Sequence, residues 1–271
     1  MTAPRKPARD RRATQQPPPE GPTEAFPVPR EQLGSGPIPL ARRRVRAVTF
    51  DVTGTLIHTP RRAEIYGEVL RRHGFSVDTE AVRWAVEEAW REFDCQGRLG
   101  HERFGPEIDD ARRYWRRFLA RLCALLDLPA PSRFAARELF DAFARPDAWE
   151  VYRDAPPTLA ALRGRGLALG VVSNWDHRLP GLLEAFGPEF RFQAIVYSQR
   201  AGVEKPEPAI FRRALRELVV EPDEAVHVGD RPTEDVEGAR AAGMHALLLD
   251  RTGAGDLAHL GELLPWLDEN N

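Results

Sequence analysis

Five short apolar runs constrain the fold of this chain more than any other feature of its sequence. They read VRAVTF at 45–50, LALGVVS at 167–173, AIVYS at 194–198, AVHVG at 225–229 and HALLLD at 245–250. Continuous runs of this kind are typical of strands in a parallel sheet that is covered on both faces. Helical patterns alternate with the runs from residue 155 onward, so the sequence predicts a doubly wound α/β sheet in a Rossmann-like three-layer core.

A long segment without strand signals separates the first apolar run from the second. Within it, apolar residues recur on one helical face at Trp115, Phe118, Leu119, Leu122 and Leu125. A segment of about a hundred residues is too long for a simple crossover between strands. The sequence therefore predicts a helical insertion over roughly 59–153, with its Trp and Phe residues as core, between core segments at 44–58 and 154–271.

The N-terminal residues 1–43 have a different composition, rich in Pro, Arg, Gln and Gly and almost without aliphatic periodicity. Such a segment cannot bury enough apolar surface to offset the entropy lost on ordering. We therefore predict that this region is a disordered tail.

Charge and cysteine content narrow the class of protein. The formal net charge is −2, which gives no reason to expect a nucleic acid or a membrane surface as partner. The two cysteines, Cys95 and Cys123, both lie in helical patterns and indicate neither a disulfide framework nor a metal-cysteine cluster. No run approaches the ~18 apolar residues that span a bilayer. We expect a cytoplasmic protein.

Polar residues stand where the predicted strands end, which is where doubly wound sheets bind their ligands. They are Asp51, Ser173, Asn174, Asp230 and Asp235. Lys205 precedes a predicted helix and is, apart from Lys6, the only lysine of the chain. Since arginine supplies nearly all other basic residues, this lysine suggests a need for a compact ammonium group. We expect these six side chains to meet at one edge of the sheet.

These groups have the chemistry of a phosphoryl-transfer site. Converging carboxylates repel one another unless a hard cation such as Mg²⁺ and an ammonium group offset their charge. The cation and Lys205 then form a positive cradle for a phosphoryl group. Ser173 and the backbone amides around Thr53, Gly54 and Asn174 can donate to its oxygens. One oxygen of Asp51 can attack phosphorus and form an aspartyl phosphate.

Four motifs follow one another in a known order. They are DVTGTL at 51–56, VVSNWD at 171–176, VEKPEPAIF at 203–211 and HVGDRPTEDVEGARAAGM at 227–244. In these motifs the sequence resembles the haloacid dehalogenase superfamily of hydrolases, and the insertion lies where the family's helical cap usually enters. The resemblance implies that Asp51 is the nucleophile, Ser173 a phosphate ligand and Lys205 its charge partner. Asp230 and Asp235 then support a Mg²⁺ cofactor.

The candidate site that results has three overlapping parts. The catalytic residues are Asp51, Thr53, Ser173 and Lys205. The substrate-binding residues are Gly54, Thr55, Ser173, Asn174 and Lys205. The metal ligands are Asp51, Thr53, Asp230 and Asp235. The expected substrate is a small phosphorylated metabolite.

Thr53 departs from the pattern of the family's phosphatases, which usually carry a second aspartate at this position. That aspartate protonates the leaving oxygen and then activates water, and general acid–base help is typically worth ~10² to 10⁴-fold in rate. A threonine hydroxyl does not exchange protons in this way near neutral pH, so we expect slow turnover. Two alternatives stay open: a metal-independent 2-haloacid dehalogenase, and a regulatory or binding protein with little activity.

Overall fold

The computed structural model describes residues 44–98, 104–105 and 107–270, and the predicted tail at 1–43 lies outside them. The strands are β1 (Ala47–Phe50), β2 (Ile57–His58), β3 (Glu150–Val151), β4 (Ala168–Ser173), β5 (Ala194–Tyr197), β6 (Ala225–Gly229) and β7 (His245–Leu248). The helices are α1 (Arg62–Arg72), α2 (Thr79–Arg98), α3 (Ile108–Leu125), α4 (Arg133–Ala142), α5 (Ala155–Gly164), α6 (Leu179–Ala185), α7 (Ser198–Ala201), α8 (Pro208–Leu218), α9 (Gly238–Ala241) and α10 (Leu263–Asn270). None of these helices combines the length and the apolar character needed to cross a membrane.

A five-stranded parallel sheet in the order β5-β4-β1-β6-β7 forms the centre of the fold. Each of its strands lies in one of the five apolar runs. The first strand is in the middle, where Phe50 is in register with Val171 of β4 and Val228 of β6. The predicted doubly wound α/β core is confirmed, and the carboxyl ends of β1, β4 and β6 meet at one edge of the sheet.

Helices cover both faces of this sheet because successive strand side chains point to opposite sides. Val48 and Phe50 of β1 join one buried cluster together with residues of α5, α6 and α10. Ala47 joins a second cluster, formed with residues of α8 and α9. All four residues of β1 are buried, which explains why its sequence is a continuous apolar run and not an alternating one.

The segment between β2 and β3 is helical, as the sequence predicts, and contains α1 to α4. These helices pack on one another around a hydrophobic cluster of their own. Phe118 lies at its centre, fully buried, with its ring 4.9 Å from that of Trp90 and 5.2 Å from that of Phe93. The boundaries of the insertion at 59 and 153 stay a prediction.

A short antiparallel pair of strands, β2 and β3, is the element that the sequence does not reveal. Ile57 is in register with Val151, and His58 with Glu150. Two residues in each strand are too few to produce a recognisable period of two. The pair holds the outgoing and returning connections of the helical segment side by side, next to the carboxyl end of β1.

Candidate active site

The ends of β1 and β4 bring the predicted nucleophile to the predicted phosphate ligand. Asp51 directly follows β1, and Ser173 is the last residue of β4. Ser173 Oγ donates to Asp51 Oδ1 over 3.0 Å. The backbone N–H of Asp51 donates to the carbonyl of Val228 in β6, which extends the sheet pairing to the nucleophile itself. The position of Asp51 is therefore fixed by two neighbouring strands.

Lys205 lies between two carboxylates. Its Nζ is 2.6 Å from Asp51 Oδ1 and 2.5 Å from Asp235 Oδ1, and all three residues are buried. Burial alone would lower the pKa of the Lys205 ammonium group, but the carboxylates of Asp235 and Asp51 raise it. Burial alone would also raise the pKa of Asp235, but Lys205 and His227 keep it well below its usual value. Lys205 is therefore a permanently charged group, placed directly at the nucleophile.

Asn174 holds the backbone of Lys205 in place. The Asn174 Oδ1 accepts from the backbone N–H of Lys205 over 2.7 Å, and its Nδ2 donates to the Lys205 carbonyl over 3.0 Å. The same Nδ2 lies 3.3 Å from Glu234 Oε2. The sequence predicts that Asn174 binds substrate, and Asn174 does line the cavity above the site. Its side chain, however, already has partners, so positioning Lys205 is the role that the contacts show.

Asp51, Asp230 and Asp235 form an acidic cluster in which one ligand atom of each lies within 4.8 Å of the others. Asp230 Oδ1 is buried without a hydrogen-bond partner in the described part of the chain. Burial raises the pKa of Asp230 to about 7, together with the nearby carboxylates of Asp51 and Asp235. A partnerless buried carboxylate oxygen and a set of oxygen donors fit a hard divalent cation.

An irregular helical turn positions Asp235 in this cluster. This residue lies in a π-helical turn at Pro232–Glu237, immediately after β6. Its Oδ2 accepts from the backbone N–H of Arg231 over 2.9 Å, and His227 Nε2 lies 3.2 Å from its Oδ1. The other ring nitrogen of His227 lies 2.9 Å from Thr49 Oγ1. This buried chain of contacts links the cluster to the middle of β1.

Gly54 gives the acidic cluster the space that it needs. Its φ is +88°, and a β-carbon at this position would overlap the carboxylate of Asp230. Its backbone N–H donates to the carbonyl of Ile57 over 2.8 Å, closing the turn between β1 and β2. The expectation that this amide donates to a phosphate is therefore not supported, because the turn itself uses the donor. Close approach of the backbone to Asp230 explains the glycine instead.

The substrate-binding role of Thr55 stays a prediction. This residue is fully buried, and its Oγ1 has no hydrogen-bond partner within the described residues. Its carbonyl accepts from Arg251 over 2.9 Å. Thr55 is not among the residues that line the cavity, so the structure does not place it in contact with a substrate. Thr53 does line the cavity.

A cavity of about 800 Å³ opens above these residues. Its floor contains Asp51, Thr53, Gly54, Ser173, Lys205 and Asp230. Its walls come from the helical segment and from the edge of the core, and include His58, Trp90, Trp115, Trp149, Tyr152 and Trp175. The sequence pattern predicts that the Trp and Phe stripes are core, and some of these residues also line the cavity. Helical periodicity cannot separate a core position from a cavity wall, since both are apolar and face inward.

A buried ion pair joins the core to the helical segment. Arg178 donates to both oxygens of Asp176, over 2.8 Å from Nε and 2.6 Å from Nη2. Trp115 Nε1 of α3 donates to the same carboxylate over 2.9 Å, and Arg178 Nη1 donates to the carbonyl of Phe140 in α4. Burial alone would raise the pKa of Asp176, but Arg178 and Trp115 lower it. The pair fixes α3 and α4 above the nucleophile.

Comparison with known proteins agrees with this geometry. The family model described as haloacid dehalogenase-like hydrolase matches residues 45–243. The haloacid dehalogenase-like hydrolase domain-containing protein 3 of Mus musculus is 34% identical over 243 residues, covering 84% of this chain and 95% of the mouse protein. The chain belongs to the haloacid dehalogenase-like hydrolases. The family resemblance seen in the four motifs is thus confirmed, and the acidic cluster, Lys205 and Ser173 form the candidate active site of a hydrolase.

Two further relatives carry the word phosphatase in their names. A phosphoserine phosphatase of Thermus thermophilus is 42% identical over 125 residues, which is 45% of this chain and 49% of that protein. The crystal structure of a HAD phosphatase from Thermococcus onnurineus is 29% identical, with a TM-score of 0.56, and the match covers 82% of this chain and 98% of that one. The chain is therefore similar in fold and in part of its sequence to proteins named as phosphatases.

The overlap between a side chain at position 54 and Asp230 is testable. Gly74 has nearly the same φ as Gly54, +87°, but nothing lies within 4 Å of the place its β-carbon would take. Gly74→Ala should lower the free energy of unfolding by about 1–3 kcal/mol through backbone strain alone. We expect Gly54→Ala to cost more than this, measured by denaturant unfolding, because it also displaces Asp230.

A double mutant separates the two effects at position 54. In an Asp230→Ala background the overlap is gone, so Gly54→Ala should cost no more than Gly74→Ala. Equal costs for Gly54→Ala and Gly74→Ala in the otherwise unchanged protein would contradict the steric role of Gly54 beside Asp230.

Proposed function

We propose that this hydrolase is a Mg²⁺-dependent phosphomonoesterase that acts on a small phosphorylated metabolite through an aspartyl phosphate on Asp51. The observation that carries the proposal is the arrangement of one buried ammonium group and three carboxylates around the end of β1. Such a site has a nucleophile, a fixed positive charge and oxygen donors for a cation. The similarity to two proteins named as phosphatases supports the same reaction.

Asp51, Asp230 and Asp235 are the side chains that would hold the cation, and we place Thr53 with them. A magnesium ion held by these residues would offset the negative charge of the cluster and would supply Lewis-acid chemistry for a phosphoryl group. The Oδ1 atom of Asp230 is the feature that most favours a cation. It has no hydrogen-bond partner among the described residues, and burying a carboxylate oxygen without a donor costs free energy. Asp235 is already bound by Lys205 and Arg231, so it acts mainly as support.

The proposed reaction has two steps. A carboxylate oxygen of Asp51 attacks phosphorus and forms an O–P bond, while the bond from phosphorus to the ester oxygen breaks with its electron pair on the leaving oxygen. That oxygen takes up a proton and leaves as the alcohol. A water molecule then attacks phosphorus, the aspartyl O–P bond breaks, and Asp51 and inorganic phosphate are released. Lys205 and Ser173, which both donate to Asp51 Oδ1, are the donors closest to these events.

Thr53 sets the expected rate of both steps. The leaving oxygen needs a proton in the first step, and the attacking water must lose one in the second. The hydroxyl of Thr53, on the cavity floor with Asp51, does not serve as a proton carrier near neutral pH. Turnover should therefore be lower than with a carboxyl group at this position by about the usual contribution of general acid–base catalysis, ~10² to 10⁴-fold.

The nucleophile can be tested with an isosteric change. Asp51→Asn keeps the size of the side chain but removes the charged attacking oxygen. With Mg²⁺ present and long incubation, we expect the unaltered protein to release phosphate from members of a phosphomonoester panel, and Asp51→Asn to fall to the background without enzyme. Asp147→Asn, at an exposed position on the helical segment, is the matched control.

The same panel distinguishes the alternatives. Removal of divalent metal with a chelator should stop phosphate release. Halide release from a 2-haloacid that persists in the chelator would overturn the metal-dependent assignment in favour of a dehalogenase. Phosphate release no faster from the unaltered protein than from Asp51→Asn would favour a regulatory or binding protein.

The raised pKa of Asp230 predicts pH-dependent cation binding. A carboxyl group whose pKa is raised to about 7 holds its proton more tightly in the folded than in the unfolded chain, so its contribution to stability falls as pH rises towards 7. A cation offsets that loss once the proton has left. At a fixed Mg²⁺ concentration, the rise in Tm should be larger at pH 8 than at pH 6. Asp230→Asn should lose most of the shift at both pH values, whereas shifts of equal size in the unaltered protein would contradict the prediction.

Restoring a carboxyl group at position 53 tests the explanation for slow turnover. Thr53→Asp should raise kcat for a hydrolysed ester, by up to ~10² to 10⁴-fold if geometry is ideal. Thr53→Asn introduces a side chain of the same size as aspartate that cannot exchange protons, and it should not raise kcat. If Thr53→Asp folds with an unchanged Tm and kcat does not rise, the role assigned to position 53 is wrong.

A further inference from the structure

The cavity wall above the phosphate site is made largely of aromatic rings. Four of the six tryptophans line it: Trp90, Trp115, Trp149 and Trp175. Trp90 and Trp115 come from the insertion helices α2 and α3, and Trp149 and Trp175 pack with the hydrophobic cluster of the core. A volume of about 800 Å³ falls in the range of pockets that hold drug-sized ligands, well beyond a phosphate group alone.

Hydrogen bonds and ring contacts hold these side chains in place. Trp115 Nε1 donates to Asp176 over 2.9 Å, and the Trp115 ring meets that of Trp90 edge to face with centroids 5.5 Å apart. Trp149 Nε1 donates to the carbonyl of Phe143 over 3.2 Å, and its ring lies 5.1 Å from that of Trp175. Since Trp115 and Trp149 use their only donors within the protein, what they offer to a ligand is ring carbon.

Arg178, which also lines the cavity, already has partners within the protein. Arg178 is paired with Asp176, donates to the carbonyl of Phe140 and stacks on the Phe140 ring at 3.8 Å. Binding a second anionic group would require Arg178 to give up contacts with a buried carboxylate, which is costly. Next to Arg178 the wall therefore favours an uncharged ligand group, although Arg62, Arg91 and Arg231 line other parts of the cavity.

We propose that the substrate is a phosphomonoester whose alcohol carries a planar aromatic ring, which binds among these tryptophans. The inference rests on the proposed phosphatase function and adds the chemical class of the leaving group. Rings that are already fixed lose little freedom when a ligand binds, and offset or edge-to-face contacts with an aromatic ligand add to the burial of apolar area.

Three esters with the same type of leaving oxygen test this without a bias from leaving-group chemistry: 2-phenylethyl, 2-cyclohexylethyl and ethyl phosphate. The first two have rings of similar size, and only one ring is planar and aromatic. We expect kcat/KM to be highest for 2-phenylethyl phosphate, exceeding that of 2-cyclohexylethyl phosphate roughly three- to tenfold. Equal values for these two esters, or a preference for ethyl phosphate, would overturn the inference.

A pair of tryptophans on one helix supplies the matched variants. Trp90 lines the cavity, and its Nε1 has no hydrogen-bond partner within the described residues, so Trp90→Leu removes a ring without breaking a hydrogen bond. Trp84, also on α2, is 53% exposed and does not line the cavity. Trp90→Leu should raise KM for 2-phenylethyl phosphate by a larger factor than KM for ethyl phosphate, because only the first ester has a ring to lose this contact. Trp84→Leu should change neither, and Tm checks the folding of both.

A binding measurement keeps this inference distinct from the proposed function. Calorimetry with the unaltered protein and Mg²⁺ should show that 2-phenylethylphosphonate, which cannot be hydrolysed at oxygen, binds more tightly than ethylphosphonate. If no ester is hydrolysed but this preference holds, the proposed function fails and the aromatic site stands. If esters are hydrolysed but the phosphonates bind equally, the aromatic site fails alone.

Discussion

The buried ammonium group of Lys205 is the interaction on which the rest of the site depends. Its Nζ is 2.6 Å from Asp51 Oδ1 and 2.5 Å from Asp235 Oδ1, and all three side chains are buried. Isolated burial of either charge costs several kcal/mol, and removing one partner leaves the other uncompensated. The two carboxylates can therefore lie at the carboxyl edge of the sheet only because Lys205 lies between them. Asn174 holds the loop that carries Lys205, and the π-helical turn after β6 brings Asp235 to it.

One ammonium group does not neutralise three carboxylates: Lys205 donates to Asp51 and Asp235, and the third carboxylate is that of Asp230. This is the residue whose pKa rises to about 7 and whose Oδ1 has no partner in the described part of the chain. Gly54 allows Asp230 to come this close, since any side chain there would occupy the space of its carboxylate. The backbone turn, the acidic cluster and the proposed cation site are thus parts of one arrangement.

The sequence predicts the central sheet well because the buried strands of a parallel sheet are continuous apolar runs, and each run contains one strand. It also predicts the meeting of Asp51, Ser173, Lys205, Asp230 and Asp235, since strand ends in such a sheet converge. It does not predict β2 and β3, which are too short to leave a pattern. Nor can it show that the Gly54 amide is used by Ile57, that Asn174 positions Lys205, or that Trp115 faces a cavity. The roles of Asn174 and Trp115 depend on partners 31 and 61 positions away, for which local patterns carry no signal, and the Gly54–Ile57 bond depends on the exact shape of one short turn.

The floor and the wall of the cavity differ in charge because Asp176 and Arg178 neutralise each other on the wall. The carboxylates at the floor leave a net negative charge, which a cation can offset, and the cation can in turn bind a phosphate. Higher on the wall, Asp176 neutralises Arg178, and both also bind the insertion through Trp115 and the Phe140 carbonyl. If α3 and α4 moved away from the core, this buried pair would lose those partners and face water, so the contacts favour a cavity that exists before substrate arrives. A ligand with one charged end and one apolar end matches the floor and the wall without rearrangement of either.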